Sequence, residues 1–181
     1  MRESWAKLSL HNVRPLRPHK ARRALMVLYL YFDGLCEPKN PGGVATYGFV
    51  IRDESGKVIC KGKGAIGAGF LGDVTTNNIA EYTALIKALE CLREKGIKDK
   101  VIIRGDSQLV IRQLKGEYSV RSERIKPLFQ RAKELLRGLD YVLEWVPRRL
   151  NEEADALSRE AFREFVKGKE EEYYRYYGKR P

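Results

Sequence analysis

Between Met26 and Ala65 the chain places three apolar runs in series, with turn signals between them, and past that point the hydrophobic period changes. Met26–Phe32, Ala45–Arg52 and Lys57–Ala65 read as successive strands, punctuated by NPGG (Asn40–Gly43) and DESG (Asp53–Gly56). Thr75, Thr76 or Asn77 then caps a helix running to Lys95, with Gly96 as its stop. Ile79, Tyr82, Leu85, Ile86, Leu89 and Leu92 recur at helical spacing and form its buried stripe. Val101–Gly105 is a fourth strand, followed by a short helix over Ser107–Leu114. After the loop KGEYSV a further helix spans Ser122–Leu136. Tyr141–Val146 is a fifth strand stopped by Pro147, and Asn151 caps a last helix starting near Glu152. Strands in series followed by alternating helices and strands predict an α/β fold. Its five-stranded mixed sheet is an antiparallel meander extended by parallel crossovers and flanked by helices.

A chain of 181 residues holds one domain with a real core. We divide it into a basic N-terminal extension (1–25), a main domain (26–165) and a basic, Tyr-rich tail (166–181). The extension carries seven Lys and Arg against the single acid Glu3, with Pro15 and Pro18 breaking any long helix. It fits a nucleic-acid arm, a cleavable presequence, or an unstructured stretch ahead of an older start at Met26. The formal charge of +11 favours polyanionic partners, although a generally charged surface would give the same number. Cys36, Cys60 and Cys91 are odd in number and lack CxxC spacing, so they indicate neither a disulfide framework nor a zinc site. A reducing, cytoplasmic compartment is expected. No apolar run reaches the roughly 20 residues of a membrane span. The charged fraction of 33%, with only 2 Met, resembles heat-adapted proteins.

Four acids stand in contexts where an acid is locally awkward. Asp33 ends MVLYLYF, and Glu81 lies near the start of the helix NNIAEYTALIKALECL. Asp106 follows VIIRG, and Asp155 lies within EEADALSREAF. Strand ends and helix starts are where open α/β sheets gather their chemistry. Carboxylates brought together there repel one another unless divalent cations hold them, and hard oxygen ligands suit Mg2+ or Mn2+. That chemistry points to phosphoryl transfer on a polyanion. Asp53, Asp73 and Asp140 read instead as turn residues. Gly62-Lys-Gly64-Ala-Ile-Gly67 matches the dinucleotide fingerprint in form, but it sits in or after the third strand and no helix opens on it, so its glycines read as relief of crowding at a strand end.

YFDGLCEPKNPGGVATYGFVI, TTNNIAEYTALIKAL, GDSQLVIRQL and WVPRRLNEEADALSREA resemble, in order, the four motif blocks of type 1 ribonuclease H, over about residues 26–165. The resemblance implies the ribonuclease H-like fold. It also implies hydrolysis of the RNA strand of RNA–DNA hybrids, leaving a 5′-phosphate and a 3′-hydroxyl. It further implies two cations per site, Asp33 bridging both, Glu81 and Asp106 on one and Asp155 on the other, about 3.5–4 Å apart. Residues matching Cys36, Asn40, Asn77, Asn78 and Gln108 touch the hybrid in this family. Amide side chains can read a 2′-hydroxyl as donor and acceptor, though Asn77 or Asn78 could equally serve only as a cap. The expected partner is a nucleic acid, bound by a monomer, with no membrane involved.

The chain departs from the family pattern in two places. Many members carry a His before the last acid. Here VPRRLNEEAD has none, and His11 and His19 lie in the extension. Arg148, with Arg149 as the alternative, is expected to take part of that role by binding phosphate, since a guanidinium is no general base near neutral pH. The family's basic protrusion is also missing, because KGEYSVRSER is too short to hold its helix. This leaves open a range that extends to double-stranded RNA. Tyr173, Tyr174, Tyr176 and Tyr177 amid cations suit either stacking on nucleic acid or packing of the tail on the body. Two other classes share the fold: a non-catalytic binding module, which would not need all four acids, and a 3′–5′ exonuclease. The latter carries Asp-x-Glu in its first motif, where this chain has Asp33-Gly34-Leu35.

Overall fold

A computed structural model describes residues 25–181, so the expectations for the basic extension lie, up to residue 24, outside the described residues. Five strands form one sheet: β1 (Val27–Glu37), β2 (Val44–Asp53), β3 (Val58–Ala68), β4 (Lys100–Gly105) and β5 (Tyr141–Trp145). Their spatial order is β3-β2-β1-β4-β5. β1–β2 and β2–β3 pair antiparallel, while β1–β4 and β4–β5 pair parallel. The described residues also form five α-helices: α1 (Asn77–Glu94), α2 (Gln108–Leu114), α3 (Lys126–Leu136), α4 (Glu152–Val166) and α5 (Glu170–Tyr177). The mixed sheet is the one the sequence predicts. No helix of the described residues is long and apolar enough to cross a membrane.

Two glycines show how the layers close. A side chain at Gly34 of β1 would overlap the backbone of Ala80 and Glu81 in α1. One at Gly48 of β2 would meet Ala154 and Leu157 of α4. Gly48 pairs with Asp33, whose side chain points to the face opposite that of its neighbour Gly34. Helix α1 therefore covers one face and α4 the other. Leu28, Leu30 and Phe32 of β1 meet Leu85 and Leu89 of α1, with Ile103 of β4, in the main core.

Element limits differ from expectation where tertiary pairing outweighs local signals. β1 continues past Phe32 to Glu37 because β2 pairs with it as far as Glu37↔Val44. Asp33 thus lies within a strand rather than at its end. The parallel partner β4 stops opposite Phe32 at Gly105, so Asp33 is the first β1 residue beyond that ladder. Helix α3 starts at Lys126 rather than Ser122, with Pro127 in its first turn and a separate turn over 122–125. Between α2 and α3 there is no helix, as the short loop implies. Gly62 and Gly64 lie inside β3, where added side chains would strike the rings of Phe49 and Tyr47 across the ladder.

Helix α5 joins a second cluster in which Val44, Ala68, Val166 and Tyr173 are buried against Phe70, Phe162, Phe165 and Tyr177. The Tyr177 hydroxyl donates to the Gly42 carbonyl at 2.8 Å. Of the tail tyrosines, Tyr173 and Tyr177 therefore pack the chain on its body. Tyr174 and Tyr176 stay exposed, beneath the cations of Arg180 and Lys39.

The cysteine expectation is corrected. Cys60 of β3 and Cys91 of α1 form a disulfide with Cα atoms 6.4 Å apart, and Cys36 is free and buried. Spacing along the chain carries no trace of this pair, because only the passage of α1 beneath β3 brings the two together.

Candidate active site

Asp33, Glu81 and Asp106 each offer a carboxylate oxygen within 4.8 Å of the others. Asp33 is placed by β1, Glu81 by the first turns of α1, and Asp106 by the end of β4. Their meeting depends on Gly34, whose missing side chain lets α1 lie directly on β1. Thr76 caps α1 by accepting from the Ile79 amide at 3.1 Å. The Asn77 amide donates to Asn40 Oδ1 at 3.0 Å, which ties the β1–β2 loop to the helix start. Asn77 Nδ2 in turn donates to Glu81 Oε1 at 3.0 Å and fixes that carboxylate.

Burial and mutual repulsion leave the trio short of positive charge. Asp33 is pushed up to about 9, first by burial, then by the charge of Asp106, a hydrogen bond with Asp155, and the charges of Glu81 and Asp155. Glu81 is pushed up to about 7 by burial, offset in part by hydrogen bonds from Ser107 and Asn77. Asp106 is raised by burial and partly held down by the Arg148 guanidinium. Among the described residues neither Asp33 nor Glu81 has an ion-pair partner, whereas Asp155 does: Arg159 Nε lies 3.1 Å from its Oδ2 and Arg148 Nη2 lies 3.7 Å from its Oδ1.

Asp155 thus adjoins the trio without belonging to its tight cluster. Asp33, Gly34, Asn77, Glu81, Asp106, Trp145 and Arg148 line one cavity of about 380 Å³. Arg148 stands exposed at its rim and Arg149 is not among its lining residues. Of the expected substrate contacts only Asn77 lines this cavity. Cys36 is buried, with its Sγ donating to the Lys39 carbonyl at 3.3 Å. Asn40 is engaged with Asn77, and Gln108 lies in the next groove. Asn78 does not line the cavity, and its Oδ1 is buried with no partner among the described residues.

Three further residues shape the site. Asn151 does not cap α4 with its side chain; instead its Nδ2 donates to the Phe32 carbonyl at 2.9 Å, pinning the start of α4 beside Asp33. Arg159 follows Asp155 by four residues, a helical spacing that could have flagged it. Trp145 has no such signal. It ends β5, and its indole donates to the Asp106 carbonyl at 3.1 Å.

A mixed sheet between α1 and α4, with buried acids converging where β1 outruns β4, defines a ribonuclease H-like domain. The profile of the reverse transcriptase-like family matches residues 31–161. Ribonuclease HI of Halobacterium salinarum is 42% identical over 135 residues, 74% of this chain, and the chain spans 63% of that relative's length. The crystal structure of RNase H1 from the same archaeon superposes with a TM-score of 0.67 at 40% identity, covering 76% of this chain and 98% of that one. LC11-RNase H1, isolated from compost and solved with an RNA/DNA hybrid, superposes at 0.68 with 35% identity, covering 77% of this chain and 99% of that one. The chain belongs to the type 1 ribonuclease H family.

Proposed function

We propose that this protein is an endoribonuclease that hydrolyses the RNA strand of RNA–DNA hybrids and leaves a 5′-phosphate and a 3′-hydroxyl. The observation that carries this reading is the trio Asp33, Glu81 and Asp106, gathered within 4.8 Å with no Lys or Arg paired to the two buried members among the described residues. Similarity to LC11-RNase H1, described with such a hybrid, supports the substrate class. The donor set fits Mg2+ or Mn2+: all oxygen, largely buried, with room beside it. Asp33, Glu81 and Asp106, with Asp155 beside them, would hold two such ions. When bound, they activate water and stabilise charge on the leaving oxygen. Asn77 keeps Glu81 oriented, and Asn151 keeps α4 against β1. All four acids come from one chain, so a monomer suffices. We place the protein in the cytoplasm, where hybrids arise. Its disulfide is compatible with that setting in heat-adapted organisms.

The test is a long hybrid, end-labelled on its RNA strand, incubated with Mg2+ or Mn2+. Internal cuts are expected. Stepwise shortening from an end would indicate an exonuclease, and an intact strand a binding module.

Arg148 is assigned to phosphate rather than to proton transfer. It is exposed at the rim, and its charge reaches both Asp106 and Asp155. Loss of one charge-assisted hydrogen bond costs about 1.5–3 kcal/mol, or roughly ten- to a hundredfold in rate. Arg148→Ala should show that loss without a new titrating step near neutral pH. Double-stranded RNA shares the A-form geometry, and we carry it as a second substrate. It should lose more than the hybrid in Arg148→Ala, because it lacks the DNA-strand contacts. Equal rates for wild type and variant on both duplexes would remove Arg148 from the site.

Cation binding should also depend on pH. In the cation-free chain Asp33 and Glu81 hold protons more tightly folded than unfolded, since about 9 and about 7 lie above their ordinary 3.8 and 4.5. The folded chain binds the extra protons, so the contribution of these two carboxyls to stability is fully present below their ordinary range and is lost as pH rises toward about 9. Bound cations remove that penalty. The rise in melting temperature on adding Mg2+ should therefore grow between about pH 5.5 and about pH 8. A rise independent of pH would count against these acids as ligands.

A further inference from the structure

Beside the carboxylate cavity, and sharing Trp145 with it, lies a groove of about 300 Å³ between α2 and the end of β5. Its other lining residues are Gln108, Ile111, Arg112, Lys115 and Glu117. Three features make it more than a surface dent. The indole of Trp145 is 45% exposed, yet its edge is held by the hydrogen bond to the Asp106 carbonyl, the residue that supplies a site carboxylate. A held, exposed ring is a platform on which a ribose or base can lie at little entropic cost. Arg112 in the last turn of α2 and Lys115 just past its end carry two positive charges against Glu117, and neither forms an ion pair among the described residues. Arg112 is braced instead by Tyr118, whose ring its guanidinium overlies at 5.2 Å and whose hydroxyl accepts from Nη1 at 3.2 Å. A cation positioned by an aromatic ring keeps its outer N–H groups available for phosphate.

We propose that this groove holds the strand being cleaved as it continues past the acids. In this arrangement Trp145 underlies the nucleotide beside the scissile phosphate, and Arg112 with Lys115 takes the phosphates beyond it. The inference rests on the ribonuclease reading above. Continuity through Trp145 selects the cleaved strand, since the chain whose phosphate meets Asp106 must cross the indole to leave on that side. In a chain without the family's protruding helix, the groove supplies grip on the duplex from the body itself.

The test uses full-length protein and a defined hybrid. Arg112→Ala with Lys115→Ala should raise KM about tenfold or more while leaving kcat within about twofold, and should lower the salt slope of binding by about one to two. Trp145→Phe should keep most of the affinity that Trp145→Ala loses. With hybrids shortened on the RNA strand from each end in turn, one direction should abolish the difference between wild type and the double variant. Shortening the DNA strand should leave that difference intact. Wild type that fails to cut any hybrid would sink the ribonuclease reading itself. Wild type that cuts, with KM and salt slope unchanged in the double variant, would overturn the groove alone. So would a difference that tracks the DNA strand.

Discussion

Asp33→Asn should reduce hydrolysis by on the order of a thousandfold or more while leaving the fold intact and the cation-free protein no less stable. The substitution keeps volume and removes one charge from a buried group that meets Asp106, Glu81 and Asp155. The same environment that pushes the Asp33 carboxyl up to about 9 means that the folded chain without cations resists its ionisation. A neutral amide relieves that resistance, so stability and activity should move in opposite directions, as expected where a site stores strain for function. The Gly34 amide, which donates to Asp33 Oδ1 at 3.0 Å, can still find the amide oxygen. Asp155→Asn should be milder, because Arg159 and Arg148 already neutralise part of its charge and its oxygens lie outside the tight trio. Rates on a hybrid and melting curves without divalent ions check both variants. Full activity in Asp33→Asn would refute the assignment of the site.

Much of this geometry was legible because local chemistry and global fold agree. The shift from serial strands to alternating helices and strands gave the sheet, and acids in apolar contexts gave the cluster. Contacts made across layers were not legible. Asn151 looks like a helix cap, and nothing near it in sequence says that its amide will seek the Phe32 carbonyl. Trp145 looks like one more aromatic in a strand. It becomes a wall between cavity and groove only because β5 lies at the sheet edge with α2 beside it. Cys36 sits in the motif block beside Asp33, yet the β1–β2 loop turns its thiol onto Lys39. Asp33 itself was expected at a strand end. The relevant end proved to be that of its neighbour β4. In each case the missing term is the partner strand or helix, which no single window of sequence contains.

The disulfide is the second place where a large effect is expected. Cys60 and Cys91 are separated by 31 residues, and the link joins edge strand β3 to the last turn of α1. Closing a loop of that length in the unfolded chain is worth about 3–4 kcal/mol on the chain-entropy account. Cys60→Ser with Cys91→Ser, or full reduction, should therefore lower the melting temperature by about 6–16 °C. Activity at moderate temperature should be retained, since neither sulfur lines the carboxylate cavity. The link secures β3 against separation from the sheet and holds α1 at the end opposite Glu81. What it protects on heating is the alignment of the helix that carries that acid. Thiol titration in denaturant checks the premise directly: one reactive thiol per chain before reduction, from Cys36, and three after it. Three thiols before reduction would show the bond absent. An unchanged melting temperature in the double variant would show that α1 and β3 hold together without it.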